Sequence, residues 1–397
     1  MKSVRSFVFW LHLAAGCTAG VVILVMSVTG ILLAFERQIN NWMDTPAVLQ
    51  GQAGAEQPML LNSVVASLAE NGQGVPTQLV VRNGPASPVE ARFGRERTLF
   101  LNPWTAEIIG QPSEETRAFF GTVERIHRSL GFGMQSAFGR GITGAANLAF
   151  LFLLLSGLYL WIPKLFTKAN LKNRLIFRRV LQGRGREWNW HHVIGIWSAF
   201  PLLFIVITGV IMSYPWASSL LFKLSGSPPA VRNFRGGFRN DPGARAKSQL
   251  SKAELLSLYQ PLGEAVRNAQ NQVGGWRSIT IDIPQVHEKT MNVSVDRSVG
   301  GQPEQVTQLM VNRNTGSIET LRHFSDNNLG SRLRAWARFL HTGEEFGLAG
   351  EIIAALACLG AVMLVWTGLS MAVRRAIAAR ARARKRSAEM VSRPAGV

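Results

Sequence analysis

The sequence predicts an α-helical membrane protein in which four transmembrane helices carry two extracytoplasmic α+β domains, the whole pattern being written twice. Three observations predict it. Four runs, 7–35, 145–162, 193–214 and 348–373, hold few or no charges, and a spanning helix needs about 20 apolar residues. Cations crowd into three short segments. Residues along the first and third runs recur at one fixed spacing.

The order of elements follows from those runs. Residues 1–36 form the first span, 37–139 a soluble domain, 140–163 the second span and 164–190 a basic loop. Residues 191–215 form the third span, 216–345 a second soluble domain, 346–373 the fourth span and 374–397 a basic tail. Lys2 and Arg5 before the first run look like the start of a signal peptide, but the run is long and lacks a small-residue cleavage site, so it is expected to remain as an anchor. Cys17 and Cys358 both lie in apolar runs and are expected to be small buried side chains without a disulfide.

Charge then orients the chain. The formal net charge is +19 over 397 residues, which in a soluble protein points to nucleic acid or acidic partners. Its distribution argues against nucleic acid. Lys2 and Arg5, the loop with Lys164, Lys168, Lys172, Arg174, Arg178, Arg179, Arg184 and Arg186, and the tail from Arg374 to Arg393 hold eighteen cations against only Glu187 and Glu389. By the positive-inside rule both termini and the middle loop are cytoplasmic, in a multi-pass protein of the inner membrane. Trp10, Trp161, Trp188 and Trp190 at one edge, and Trp42 and Trp216 at the other, fit interfacial aromatic belts.

The duplication is read from offsets. His12 precedes Gly16, Gly20 and Thr29-Gly30, while His191 precedes Gly195, Ala199 and Thr208-Gly209. In both copies the histidine stands eighteen residues before the last glycine, five turns and about 27 Å of helix, so both lie on one face at opposite membrane edges. Small-residue stripes also serve close helix packing, but packing gives no reason for a histidine at the same place twice. The second and fourth runs repeat more loosely: Ser156-Gly157 resembles Thr367-Gly368, with His127 and His341 upstream, at or just above the outer face.

The soluble segments repeat too. An amphipathic helix over 62–70 ends at Gly72, and a longer one is opened by the capping box Ser251-Lys-Ala-Glu254. Strand alternation runs through Ile279, Ile281 and Ile283 and then Met291, Val293 and Val295. Hairpin-like units at 99–108 and 309–318 match each other.

In this order the residues resemble the PepSY-associated transmembrane protein family over nearly the whole chain. The resemblance is carried by His12 to Gly16 with Thr29-Gly30, His191-His-Val-Ile-Gly195 with Thr208-Gly209, and Leu340-His341-Thr-Gly343 with Thr367-Gly368-Leu369. The hairpins at Asn102-Pro-Trp-Thr105 and Asn312-Arg-Asn-Thr-Gly316 complete it. It implies that the soluble parts are periplasmic PepSY-like domains. Similarity to ferric-siderophore reductases of the inner membrane further implies two b-type haems and a ferric-siderophore acceptor. By position, His12 and His191 would hold the inner haem and His127 and His341 the outer one.

The residues agree with that implication. Imidazole suits haem iron, and two axial histidines leave no open position, which favours electron transfer over oxygen chemistry. No Cys-x-x-Cys-His is present, so covalent c-type attachment by the usual route is excluded. Reducing ferric iron needs no catalytic triad, and none is visible; nor is there a nucleotide fingerprint, so quinol or a separate cytoplasmic reductase would supply electrons. A lone interfacial histidine is ordinarily bonded to a headgroup or the backbone, but four in matched pairs favour ligation. His192 lies about 100° around the helix from His191, and only the repeat prefers His191. His287 and His323 read as solvated residues. Arg125, Arg128, Arg334 and Arg338 flank the outer pair, where they would face haem propionates, attract an anionic iron complex, or simply meet headgroups. Trp336 is either a pocket wall or a belt anchor. The competing reading is a non-redox accessory or binding protein whose soluble domains recognise a siderophore, a peptidase or a cell-wall partner.

Overall fold

The computed structural model describes residues 2–44, 61–84, 87–94, 97–228, 252–284 and 288–391. The chain folds into two compact units, one made of residues 1–36, 119–218 and 340–397 and the other of residues 37–118 and 219–339.

The first unit is a helical bundle. Its long members are α1 (Lys2–Ala34), and, numbered in chain order after α2 (Glu36–Asp44), α3 (Leu61–Glu70) and α4 (Glu114–Ser129), the helices α5 (Ala137–Trp161) and α7 (Gly183–Ser213). A short α6 (Lys168–Leu175) lies between these last two. The fourth long helix, α12 (Gly347–Val391), follows α8 (Pro215–Leu224), α9 (Lys252–Tyr259), α10 (Leu262–Gln272) and α11 (Leu329–Thr342). Four helices are long and apolar enough to cross a membrane, within Val4–Ala34, Ala137–Trp161, Gly183–Ser213 and Glu344–Arg384, and the chain is a multi-pass membrane protein. The four runs are therefore where the sequence places them. They close a ring in which α1 and α7 each touch α5 and α12. Leu154, Leu202, Val206, Ala357 and Ala361 pack together inside it. Pro201 sits within α7, a position that spanning helices tolerate because neighbouring helices can satisfy the freed carbonyl. Cys17 is exposed rather than buried, whereas Cys358 is partly covered, and both are free thiols.

The second unit is built on one antiparallel sheet of eight strands: β1 (Gln78–Arg82), β2 (Val89–Phe93), β3 (Arg97–Leu101), β4 (Ile108–Gly110), β5 (Ser278–Asp282), β6 (Thr290–Asp296), β7 (Val306–Asn312) and β8 (Ile318–His323). Their order is β4-β3-β2-β1-β5-β6-β7-β8. Two meanders of four strands thus meet where β1 pairs with β5, Leu79 opposite Ile281. The sequence reading gives residues 37–139 and 216–345 a domain each; the structure joins their strands into one sheet. It also assigns the chain from Phe119 and from Leu340 to the bundle, because α4 and α11 end in the residues that enter it. The alternation seen in the sequence has its physical cause here: Ile279, Ile281, Val293 and Val295 are fully buried beneath α3, α9 and α10, together with Val64, Val65 and Leu68, while the intervening residues face the other side.

Three local details refine the sequence reading. The longer helix is broken in two, α9 and α10, because Pro261 lacks an N–H and cannot continue a helix through its own position; Ser251 of the expected capping box lies outside the described residues, as does His287. The helix over 62–70 is α3, and Gly72 follows it at φ +71°. The two hairpins share one turn. Asn102 Oδ1 accepts from the N–H of Trp104 at 2.8 Å and of Thr105 at 3.3 Å, and Asn312 Oδ1 accepts from Asn314 at 2.9 Å and Thr315 at 3.3 Å. Each turn then needs a left-handed residue, Ala106 at φ +56° and Gly316 at φ +69°.

Candidate histidine site of the bundle

Each of the four histidines singled out in the sequence reaches across to a Ser/Thr-Gly dipeptide on a neighbouring helix. His12 of α1 meets Ser156-Gly157 of α5, with Nδ1 2.8 Å from the hydroxyl oxygen. His127 of α4 meets Thr29-Gly30 of α1 at 2.9 Å. His191 of α7 meets Thr367-Gly368 of α12 at 2.9 Å. His341 of α11 meets Thr208-Gly209 of α7 at 3.3 Å, and its Nδ1 also lies 2.8 Å from the carbonyl of Ile205. The glycine of each dipeptide admits the ring edge. A Cβ there would stand 3.4 Å from Cε1 of His12, 3.5 Å from that of His127, 3.4 Å from that of His191 and 3.2 Å from that of His341.

The hydroxyls argue for the tautomer with the proton on Nδ1. Each gives its single hydrogen to the carbonyl four residues earlier in its own helix, at 2.7 Å in all four cases, to Phe152, Val25, Met363 and Phe204. A hydroxyl that has spent its hydrogen can only accept from the imidazole, so Nδ1 carries the proton and donates. Nε2 is then left with a bare lone pair, and among the described residues no protein group bonds to it. This is the arrangement of metal-ligating histidines, in which the second nitrogen fixes ring and tautomer.

The histidines form two tiers. The rings of His127 and His341 lie 6.4 Å apart between centroids, at 69°. An iron bonded at about 2 Å to one nitrogen of each ring would hold two imidazole centres roughly 6 Å apart, so the spacing suits a bis-imidazole centre. His12 and His191 lie near one another in the bundle. No group of three or more His, Cys, Asp or Glu side chains that could hold a bare metal ion is found among the described residues, but a porphyrin supplies four ligands of its own and needs only two. His127 and His341 therefore fit one haem, and His12 and His191 offer the same pair of donors for a second.

The remaining candidates separate. His192 is turned back on its own helix: its Nδ1 bonds the Trp188 carbonyl at 2.8 Å, and its ring lies 4.0 Å from that of Trp188. Among the described residues it has no counterpart to the hydroxyl that holds His191. Arg128 belongs to the bundle unit and pairs with Glu124 at 2.8 Å, both half-exposed, while Arg125 bonds Thr122. Arg334, Arg338 and Trp336 belong to the sheet unit. There burial first, and then the charge of Arg338, hold the Arg334 guanidinium below its ordinary value; Arg338 lies over the Phe339 ring at 5.4 Å. His323 is exposed on β8.

Asn147, which the sequence reading passes over, and Cys358, which it reads only as a buried thiol, stand behind the glycines that receive His341 and His127. A Cβ at Gly209 would meet Asn147 Nδ2 at 2.9 Å, and one at Gly30 would meet Cys358 Sγ at 3.4 Å. Asn147 is buried and donates to the Val206 carbonyl at 3.2 Å. The four Ser/Thr-Gly dipeptides were themselves visible as repeat marks; what the sequence did not reveal was that each receives a histidine.

Four spanning helices, an antiparallel sheet whose strands fall between them in sequence and histidines anchored from neighbouring helices define a class, that of multi-pass membrane proteins with an α+β part outside the spans. The model of the PepSY-associated TM region matches residues 9–375, and the chain belongs to that family. No curated protein matches it.

Proposed function

We propose that this protein is a transmembrane electron carrier that holds two b-type haems, one between His12 and His191 and one between His127 and His341. It reduces ferric-siderophore iron in the periplasm with electrons from the cytoplasmic side or the quinol pool. The observation that carries the reading is the set of four spent hydroxyls, each of which leaves Nε2 of its histidine free to bind iron. When bound, haem supplies a one-electron centre with no vacant coordination position. The chain's own part is to present and hold the ligands. Ser156, Thr29, Thr367 and Thr208 fix the rings, the adjoining glycines give the ring edges room, and the apolar cluster around Leu202 keeps the bundle interior dry. Four spans place both termini and the basic loop on one side, and the concentration of cations there supports the cytoplasmic side of the inner membrane. On this reading the sheet unit is periplasmic, and the two matched halves descend from one duplicated unit. A purely binding role leaves the four anchored imidazoles without use.

An optical spectrum of the purified full chain tests the reading. A dithionite-reducible b-type spectrum is expected, with the haem content falling by half in His127→Ala and again in a His12→Ala, His127→Ala double variant. A colourless protein, or haem content indifferent to these changes, overturns it. Reduction of a ferric-siderophore by the prereduced protein then tests the acceptor.

A further inference from the structure

We propose that residues 164–182, which connect α5 to α7, form a folded platform that binds the phosphate groups of anionic phospholipids at the bilayer surface. The stretch contains no Asp or Glu, and its cations include Lys164, Lys168, Lys172, Arg178 and Arg179, all exposed. Large apolar side chains are interleaved with them and are equally uncovered: Leu165 is 71% exposed, Phe166 75% and Val180 88%. Cations alone would suit an acidic protein in water. Cations alternating with uncovered Leu, Phe and Val suit a boundary where phosphate lies beside hydrocarbon.

The segment is not a loose tether but is tied down by hydrogen bonds. Thr167 caps α6 by accepting the Asn170 N–H at 3.2 Å. Asn189, fully buried at the start of α7, binds the segment with three hydrogen bonds. It donates to the carbonyls of Asn173 at 2.6 Å and Ile176 at 3.1 Å and accepts from the Arg178 N–H at 3.0 Å. Trp197, six residues beyond His191 along the span and itself exposed, donates to the Leu175 carbonyl at 3.0 Å. The end of α6 is thereby drawn onto the flank of a spanning helix, beside a residue type that favours the bilayer interface. Arg174 bonds the Trp161 carbonyl, and burial followed by the charge of Arg5 holds its guanidinium below the ordinary value. A nearby phosphate would relieve that crowding of positive charge.

The test uses the full chain in nanodiscs of mixed phosphatidylcholine and phosphatidylglycerol, with retained lipids counted by native mass spectrometry. Several-fold enrichment of phosphatidylglycerol over its share of the bilayer is expected. It should fall to that share when Lys164, Lys168, Lys172, Arg178 and Arg179 are all changed to Gln, and persist when Arg380, Arg382 and Arg384 are. Because removing five cations can disturb insertion, Asn189→Ala supplies a second arm: every charge stays, the fold of the platform is cut, and enrichment should still drop. Absence of enrichment in the wild type, its survival in the first variant or in Asn189→Ala, or equal loss in the tail variant each overturns the proposal. So does wild-type protein that binds polyglutamate and shows no lipid preference, since the platform would then serve an acidic protein.

Discussion

A Cβ on Gly209 would stand 3.2 Å from Cε1 of His341 and 2.9 Å from Nδ2 of Asn147, whereas one on Gly30 would stand 3.5 Å from Cε1 of His127 and 3.4 Å from Sγ of Cys358. The two glycines hold equivalent places, but only the first is hemmed in by a buried amide already committed to Val206. Gly209→Ala is therefore expected to displace His341 and lower the haem content of the purified protein, while Gly30→Ala retains it. Equal haem content in the two variants would remove the asymmetry.

The hydroxyl anchors should differ in weight. His12 has Ser156 as its hydrogen-bonding partner, whereas His341 keeps the Ile205 carbonyl at 2.8 Å even without Thr208. Loss of an outer-shell partner of a ligating histidine typically costs 10–100-fold in affinity. Ser156→Ala is expected to weaken haem retention by about tenfold or more, and Thr208→Val by clearly less, as followed by transfer to apomyoglobin. The reverse order would count against the tautomer argument.

A carboxylate in the sheet makes stability depend on acid. Glu90 on β2 is 7% exposed and bonds Arg82 at 2.6 Å and Arg92 at 2.7 Å. Burial alone would raise its pKa, but the two guanidiniums outweigh it and the net direction is down. A depressed carboxylate stabilises the fold fully above its unfolded value, about 4.3, and that contribution is lost as the pH falls through the folded one. Glu90→Gln is expected to cost roughly 1–3 kcal/mol near neutrality, below the range for fully buried pairs because both arginines are partly exposed. Its deficit in urea denaturation should shrink as the pH drops below about 4; a deficit independent of pH would contradict the assignment.

The matching turns allow a paired test of backbone strain. Gly316 sits at φ +69°, and a Cβ there would lie 2.7 Å from Glu264 Cβ and 3.1 Å from the Pro261 carbonyl oxygen. Ala106, at φ +56° in the other turn, already carries one. Gly316→Ala is expected to destabilise by roughly 1–3 kcal/mol, and Ala106→Gly to change stability by less than about 1 kcal/mol. Thermal melting of the two variants side by side checks the difference.

Local patterns carried much of this architecture. The spans are legible because hydrocarbon demands an unbroken apolar stretch, and the strands around Ile281 and Val293 because a one-sided sheet imposes a period of two. The break at Pro261 was also written in the chain, as a proline inside a helical pattern. The pairing of Leu79 with Ile281 was not, since strands two hundred residues apart carry no local mark of one another. At the histidines the sequence supplied the residues and the spacing along α1 and α7. It could not say that Thr29 faces His127 or that Ser156 faces His12, because helix adjacency is a property of the folded ring. It preferred His191 over its neighbour His192 only through the repeat, and the position of Thr367 adds a hydrogen-bonding partner for His191.

The junction of β1 with β5 also has a consequence for biosynthesis. Strands β1 to β4 are complete once residue 110 has left the ribosome, but β1 gains its second partner only when residues 278–282 appear. At about 5–20 residues per second the intervening chain takes roughly 8–34 s to make. Throughout that interval the first meander presents an unpaired strand edge while two further helices are being inserted. Its protection from wrong partners must come from outside the chain, or from the speed with which the second half is translated.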